Sequence, residues 1–175
     1  MKRVAAVVAG CVAVAAVVLW VTFFRDSDEE RIRRVLVELT KVVAVKEGDT
    51  LLSRTARLRS RMKDIVEDDV RVNVAELGAD LRGRHKLEDD AARIGVMYAR
   101  ADCELTRLDI RVDPQGSLAQ VDAVALVTGM RGGERNVDRG AGGSPSPMSR
   151  DVHFLLRRDG DWKISTIDVA PKKED

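Results

Sequence analysis

Residues 150–169 read Arg-Asp-Val-His-Phe-Leu-Leu-Arg-Arg-Asp-Gly-Asp-Trp-Lys-Ile-Ser-Thr-Ile-Asp-Val, and the fold is decided there. Two β-prone runs, Met148–Arg158 and Trp162–Ala170, meet across Arg158-Asp-Gly-Asp161. Asp-Gly suits the positive-φ positions of a tight hairpin turn, so the stretch predicts two long antiparallel strands. Trp162, placed at the opening of the second strand, can close one end of a sheet against helices.

Moving toward the N-terminus, Leu108, Ile110 and Val112 alternate with Arg107, Asp109 and Arg111, and Asp113-Pro-Gln-Gly116 turns the chain into Leu118–Thr128. The period of two predicts a second hairpin and, with the first, an antiparallel meander. The stretch between Gly129 and Pro147 is irregular, and its glycines match neither a Walker loop nor a dinucleotide fingerprint. Before residue 102 the period changes. Ile32, Val35, Leu36, Leu39, Val42 and Val43 follow helical spacing, with Asp26, Ser27 and Asp28 as capping candidates. Gly48-Asp-Thr50 breaks that helix, and Leu51, Leu58, Met62, Ile65 and Val66 predict another to about Glu67. Val70–Val74 reads as a short strand and Gly78–Gly83 as a turn. Leu87, Ala91, Ile94, Met97, Tyr98 and Ala101 then give a third helical face.

Helices first and antiparallel strands afterwards is an α+β layout, with the helices covering one face of the sheet. This order, together with the Gly160-Asp-Trp-Lys-Ile164 opening of the last strand, resembles the cone of the nuclear transport factor 2-like superfamily over about residues 27–170. The resemblance implies about three helices packed on a strongly curved antiparallel sheet. It does not imply one function, since that cone hosts isomerases, dehydratases, polyketide cyclases, protein-binding modules and secretion scaffolds. Its enzyme branches line the cone with Asp, Tyr or His placed to move a proton beside a carbonyl, and no complete set of that kind maps onto this chain.

The N-terminal segment points to location. Val4–Phe24 carries no charge and would make a helix of about 30 Å, enough to cross a hydrocarbon core. Met1-Lys2-Arg3 is basic and Arg25-Asp-Ser-Asp-Glu-Glu30 mostly acidic, which puts the N-terminus in the cytoplasm and the domain outside. Trp20, Phe23 and Phe24 sit where aromatic side chains meet the interface. Two alternatives stay open, a cleaved signal and lipidation at Cys11 in Val8-Ala-Gly-Cys11. The expected division is an anchor over 1–25, a soluble domain over 26–170 and a charged tail over 171–175. The expected location is the inner (cytoplasmic) membrane, in a single pass.

Lys+Arg 30 against Asp+Glu 29 leaves a net charge of +1, so there is no basic field to recruit nucleic acid. Aromatics at 3% leave few rings for stacking bases or flavins, and no cofactor is expected. Two His and a single domain Cys give no metal-ligand spacing. Cys103 reads as a small buried side chain. Three residues remain as ligand-pocket candidates. Tyr98 is a candidate oxyanion donor, competing with an ordinary core tyrosine. His153 is a candidate base with Asp122 or Asp168 as partner, competing with a surface histidine. Asp122 counts only if the polar side of its strand lines the cone, and is otherwise solvent-facing. Arg54, Arg57, Arg59, Arg61 and Lys63 give the second helix a basic band, read as a solvated face or a contact for anionic lipid or an acidic partner. The expected role is a non-enzymatic, membrane-anchored protein-binding or assembly module with a partner in the cell envelope, or a homodimer formed through the sheet. The alternative is a hydrophobic-ligand binder or isomerase-type enzyme using the cone pocket.

Overall fold

The computed structural model describes residues 27–131 and 148–171. The apolar run Val4–Phe24, most of the glycine-rich stretch and residues 172–175 lie outside the described residues. Among the described residues no helix is long and apolar enough to cross a membrane.

Helix α1 (Asp28–Val43) starts where Ser27 takes the N-cap, its hydroxyl accepting the Glu30 N–H at 3.2 Å. Asp28, Glu29 and Glu30 fill the first turn, where the positive end of the helix dipole favours carboxylates. Helix α2 (Leu51–Ile65) starts with a capping box in which Thr50 and Ser53 satisfy each other's backbone N–H. Strand β1 (Val66–Val74), a 3₁₀ turn (Ala75–Leu77) and strand β2 (Ala79–Arg82) precede helix α3 (Arg84–Met97). Strands β3 (Tyr98–Val112), β4 (Leu118–Arg131), β5 (Met148–Asp159) and β6 (Asp161–Pro171) complete a six-stranded sheet in the order β2-β1-β6-β5-β4-β3.

Both expected C-terminal hairpins are present, and Gly160 at φ 75° turns β5 into β6. The N-terminal half needs correcting in three places. The sheet is not wholly antiparallel, because β1 runs parallel to β6, with Val72 beside Ile167 and Val74 beside Val169. Strand β1 starts at Val66 rather than Val70, and the expected turn at Gly78–Gly83 holds β2, paired with β1 from Val74↔Ala79 to Arg71↔Arg82. The third helix stops at Met97, so Tyr98 opens β3 instead of lying on a helix face. What stops it is backbone pairing: Tyr98 is in register with Arg131, and Ala101 exchanges both backbone hydrogen bonds with Val45 at 2.7 and 3.1 Å. Helical spacing through Tyr98 and Ala101 was coincidental with a strand whose partners lie far away in sequence.

The core lies between the helices and the inner face of the sheet. Ile32 and Leu36 from α1, Leu58 and Met62 from α2, and Val121, Leu156 and Ile164 from the sheet are all fully buried. Phe154 is buried at mid-sheet, Trp162 is buried next to the β5–β6 turn, and the Trp162 indole N–H donates to Asp28 at 3.2 Å. Arg158 lies over that ring and also donates to Asp28, at 3.1 Å, so the start of α1 is fastened to the β5–β6 hairpin.

Candidate functional site

Alternation along the strands separates two faces. In β4, Ala119, Val121, Ala123 and Ala125 are buried toward the helices, which leaves Gln120, Asp122, Val124 and Leu126 on the open face. In β5, Val152, Phe154 and Leu156 are buried, which puts Ser149, Asp151, His153 and Leu155 on the open face. Register then aligns one residue per strand across the whole sheet: Asp109, Asp122, His153, Asp168, Asn73 and Asp80 form one row. The neighbouring row, nearer the β3–β4 turn, is Arg111, Gln120, Leu155, Thr166, Arg71 and Arg82.

Two of the three candidate residues therefore meet. His153 Nδ1 lies 2.7 Å from Asp122 Oδ1, and a carboxylate can only accept, so Nδ1 carries the proton and Nε2 is left as the basic nitrogen. Arg111 pairs with the other Asp122 oxygen and lies 3.4 Å from Asp109. The Asp122 and His153 side chains are 48% and 40% exposed, on the side of the sheet away from the helices. Asp168 is next to His153 in the row, with no hydrogen bond between them. Arg111 carried no signal of its own in the sequence beyond its place in the alternation of β3.

Tyr98 does not join this group. Its ring lies over Gly129 on β4, where a Cβ would come within 2.9 Å of Cδ1 and Cε1. The bare glycine is what gives the ring its seat. Cys103 is half-buried, and burial pushes its thiol pKa up, away from the reactive thiolate. Among the described residues no cluster of His, Cys, Asp or Glu could hold a metal ion.

The expected basic band on α2 is broken up. Arg54 points inward and is 1% exposed, donating to Val43 O (2.7 Å), Ala44 O (2.8 Å) and Ala91 O (2.9 and 3.1 Å). Burial lowers its pKa, while the carbonyls at the end of α1 hold its charge. Arg57 grips Asp49 with 2.5 and 2.9 Å hydrogen bonds, and that contact holds the Asp49 carboxyl at a pKa of about 2. Arg59 faces Asp89 at 3.7 Å, leaving Arg61 and Lys63 exposed. A second charged group inside the fold, Glu88 on α3, is 1% exposed and is met by Arg84 at 3.4 Å and His85 at 3.2 Å. Arg84 also pairs with Asp68, tying the first turn of α3 to β1.

The described residues also frame two surface hollows. One, of about 530 Å³, lies between α1, the end of α2 and the start of β6, with Arg31, Val35, Asp64 and Trp162 among its walls. The other, of about 310 Å³, lies among Glu67, Asp69, Arg157 and Lys163, and burial raises the pKa of Glu67 there. Neither contains Asp122, Tyr98 or His153.

The chain matches no family model and no curated protein by sequence. Solved structures do resemble it. A nuclear transport factor 2-like protein with a cystatin-like fold from Novosphingobium aromaticivorans superposes with TM-score 0.59 at 15% identity, over 93% of this chain and 90% of that one. A protein from Kribbella flavida gives TM-score 0.65 at 9% identity, over 85% and 93% of the two chains. A hexachlorocyclohexane dehydrochlorinase gives 0.59 at 18% identity, over 83% and 85%. At these identities the likeness is one of architecture: three helices on a six-stranded sheet, the nuclear transport factor 2-like or cystatin-like cone.

Proposed function

We propose that this chain is a non-enzymatic binding and assembly module, held at the outer surface of a cytoplasmic membrane by Val4–Phe24 and acting through the open face of its sheet. One observation carries the reading. The space under the helices is filled by packed apolar side chains, whereas the exposed ionisable groups that register brings together lie across the opposite face. A partner that reads charge and shape meets that face directly, and a tether of two residues, Arg25 and Asp26, between Phe24 and Ser27 keeps the face near other envelope proteins.

The test is purification of the tagged full-length chain from its native membrane in detergent, with mass spectrometry of bound proteins and extracted small molecules. Near-stoichiometric envelope proteins, lost from an Asp122→Lys variant, are the expected result. A single enriched small molecule with no protein partner overturns the reading.

A second reading rests on the Asp122–His153 pair, which leaves His153 Nε2 as a positioned base. The named activity of the dehydrochlorinase neighbour involves elimination, for which a base of this kind is suited. On this reading the chain is an isomerase-type or elimination enzyme, or a hydrophobic-ligand binder. Replacing His153 by Ala then abolishes turnover or binding of the co-purified molecule with little change in melting temperature, and unchanged turnover or binding in that variant removes this reading.

A further inference from the structure

Elsewhere in the fold opposite charges close on one another: Arg57 on Asp49, Arg84 on Asp68, Arg111 on Asp122. The hollow of about 530 Å³ between α1, the end of α2 and the start of β6 is different. Arg31 of α1, Asp64 of α2 and Asp161 of β6 stand on its walls, and none of them makes an ion pair with another described residue. Glu38, farther along α1, is likewise unpaired. Groups of both signs thus share one hollow, on different elements, beyond ion-pair distance of each other. Asp64 is also locally unfavourable. It lies in the last turn of α2, where a carboxylate faces the negative end of the helix dipole, and neighbouring Lys63 does not pair with it. A cation brought into the hollow relieves both the dipole and the unpaired carboxylates. On the other wall Arg31 and Arg34, three apart on α1, present adjoining guanidinium groups suited to the oxygens of a phosphate. Half-buried Val35 with buried Ile65 and Trp162 supply apolar surface between the two.

We infer that this hollow binds a phosphoethanolamine group, its phosphate on Arg31 and Arg34 and its ammonium on Asp64 and Asp161. A zwitterion of this kind carries its charges apart on a short chain, as the hollow does, and a primary ammonium donates charge-assisted hydrogen bonds to carboxylates. A quaternary ammonium cannot donate, and it finds no aromatic cage here: Trp162 is 2% exposed and Arg158 already lies over its ring. An anionic head without an amine leaves Asp64 and Asp161 unmet. The place of the hollow suits a lipid source. Arg31 is four residues past the Ser27 cap, about 6 Å along α1, and Trp162 is fastened to Asp28 beside that cap. On the anchored reading above, a phosphatidylethanolamine head in the outer leaflet reaches this end of the domain, and a soluble phosphoethanolamine ester offers the same chemistry. The inference rests on that reading only for the nearness of a bilayer, since the hollow is on the helix side and the docking face is on the opposite side of the sheet.

The full-length chain in detergent micelles, titrated with glycerophosphoethanolamine, glycerophosphocholine and glycerophosphoglycerol and followed by ligand-observed NMR, tests the site. The ethanolamine ester is expected to bind about ten-fold or more tightly than either of the others. Arg31→Gln, and Asp64→Asn with Asp161→Asn in a second variant, each weaken it about ten-fold or more. The two carboxylates are exposed, so the second variant keeps the test open should the first melt early. Asp64→Lys with Asp161→Lys turns the preference toward the anionic glycerol ester, an exchange that loss of folding cannot produce. Lipid extracted with the chain from its native membrane separates the sources. Phosphatidylethanolamine enriched over the bulk membrane, and lost from the Asn variant, assigns the site to a lipid head; binding of the ester without such enrichment assigns it to a soluble one. No binding of glycerophosphoethanolamine, equal binding of the three esters, or binding indifferent to these variants overturns the site. Partner capture is read separately in the Asp122→Lys variant, so failure of the hollow and failure of the docking face are told apart.

Discussion

Asp49 and Arg57 show how much one contact can contribute at the loop between α1 and α2. The Arg57 guanidinium holds the Asp49 carboxyl at a pKa of about 2, down from the ordinary carboxylate value of 3.8, and the Lys46 N–H adds a further hydrogen bond. A carboxylate whose folded pKa is depressed stabilises the fold at pH values above the unfolded pKa, and that stabilisation is lost as pH falls toward the folded one. The contribution is therefore complete at neutral pH and disappears between about pH 4 and pH 2. Asp49→Asn should cost roughly 1 kcal/mol at pH 7, after allowing for solvent screening at a loop. Urea unfolding of the two forms at pH 7 and near pH 2.5 should show a gap in the midpoint at the first pH that narrows at the second. An equal gap at both would assign the effect to packing.

At the scale of elements, the join between α2 and α3 depends on a residue that sequence reading placed on the surface. Arg54 lies in the middle of an alternately basic helix, and nothing in its spacing separates it from Arg57 or Arg61. It turns inward because three backbone carbonyls from α1's end and α3 converge on it and because Gly95 leaves room: a Cβ there would lie 2.7 Å from Arg54 Cδ and 3.0 Å from Nε. The guanidinium is held at both ends and cannot yield cheaply. Gly95→Ala should therefore destabilise by about 1–3 kcal/mol, although alanine is the better helix former by about 1 kcal/mol. In an Arg54→Ala background the same change should be neutral or stabilising, and a double-mutant cycle by thermal or denaturant unfolding measures that reversal of sign. Additivity would mean that the contact carries no strain. The same contrast explains what could be read in advance. Both C-terminal hairpins were legible because Asp159-Gly160 and Asp113–Gly116 are local turn signals between alternating strands. The parallel β1–β6 pair, the short β2 and the end of α3 at Met97 depend on partners distant in the chain. His153, Asp122 and Asp168 were legible as residues, but their alignment in one row, and its position outside the cone, required the register.

For the whole molecule, the position of α1 would constrain how an anchored domain meets a membrane. Ser27 caps a helix whose first residue, Asp28, is bound by Arg158 and Trp162, so the fold is rigid from Ser27 onward. Only Arg25 and Asp26 separate Phe24 from that cap, a reach of about 10 Å even when fully extended. An anchored Val4–Phe24 would thus hold the β5–β6 turn and the Arg-rich half of the sheet close to the headgroups, where anionic lipid favours positive charge. On the proposed anchoring, the basic residues before the run and the acidic ones after it would set the direction of crossing. The chain should stay with membranes through a carbonate wash. Protease added to the outside of spheroplasts should remove the domain, while protease added to inside-out vesicles should not. Release by carbonate would point to a cleaved leader or a peripheral protein, and cleavage only in inside-out vesicles would reverse the topology. Either result would count against the proposed envelope partners, because the short reach that would hold an anchored domain beside the bilayer would also decide which compartment it samples.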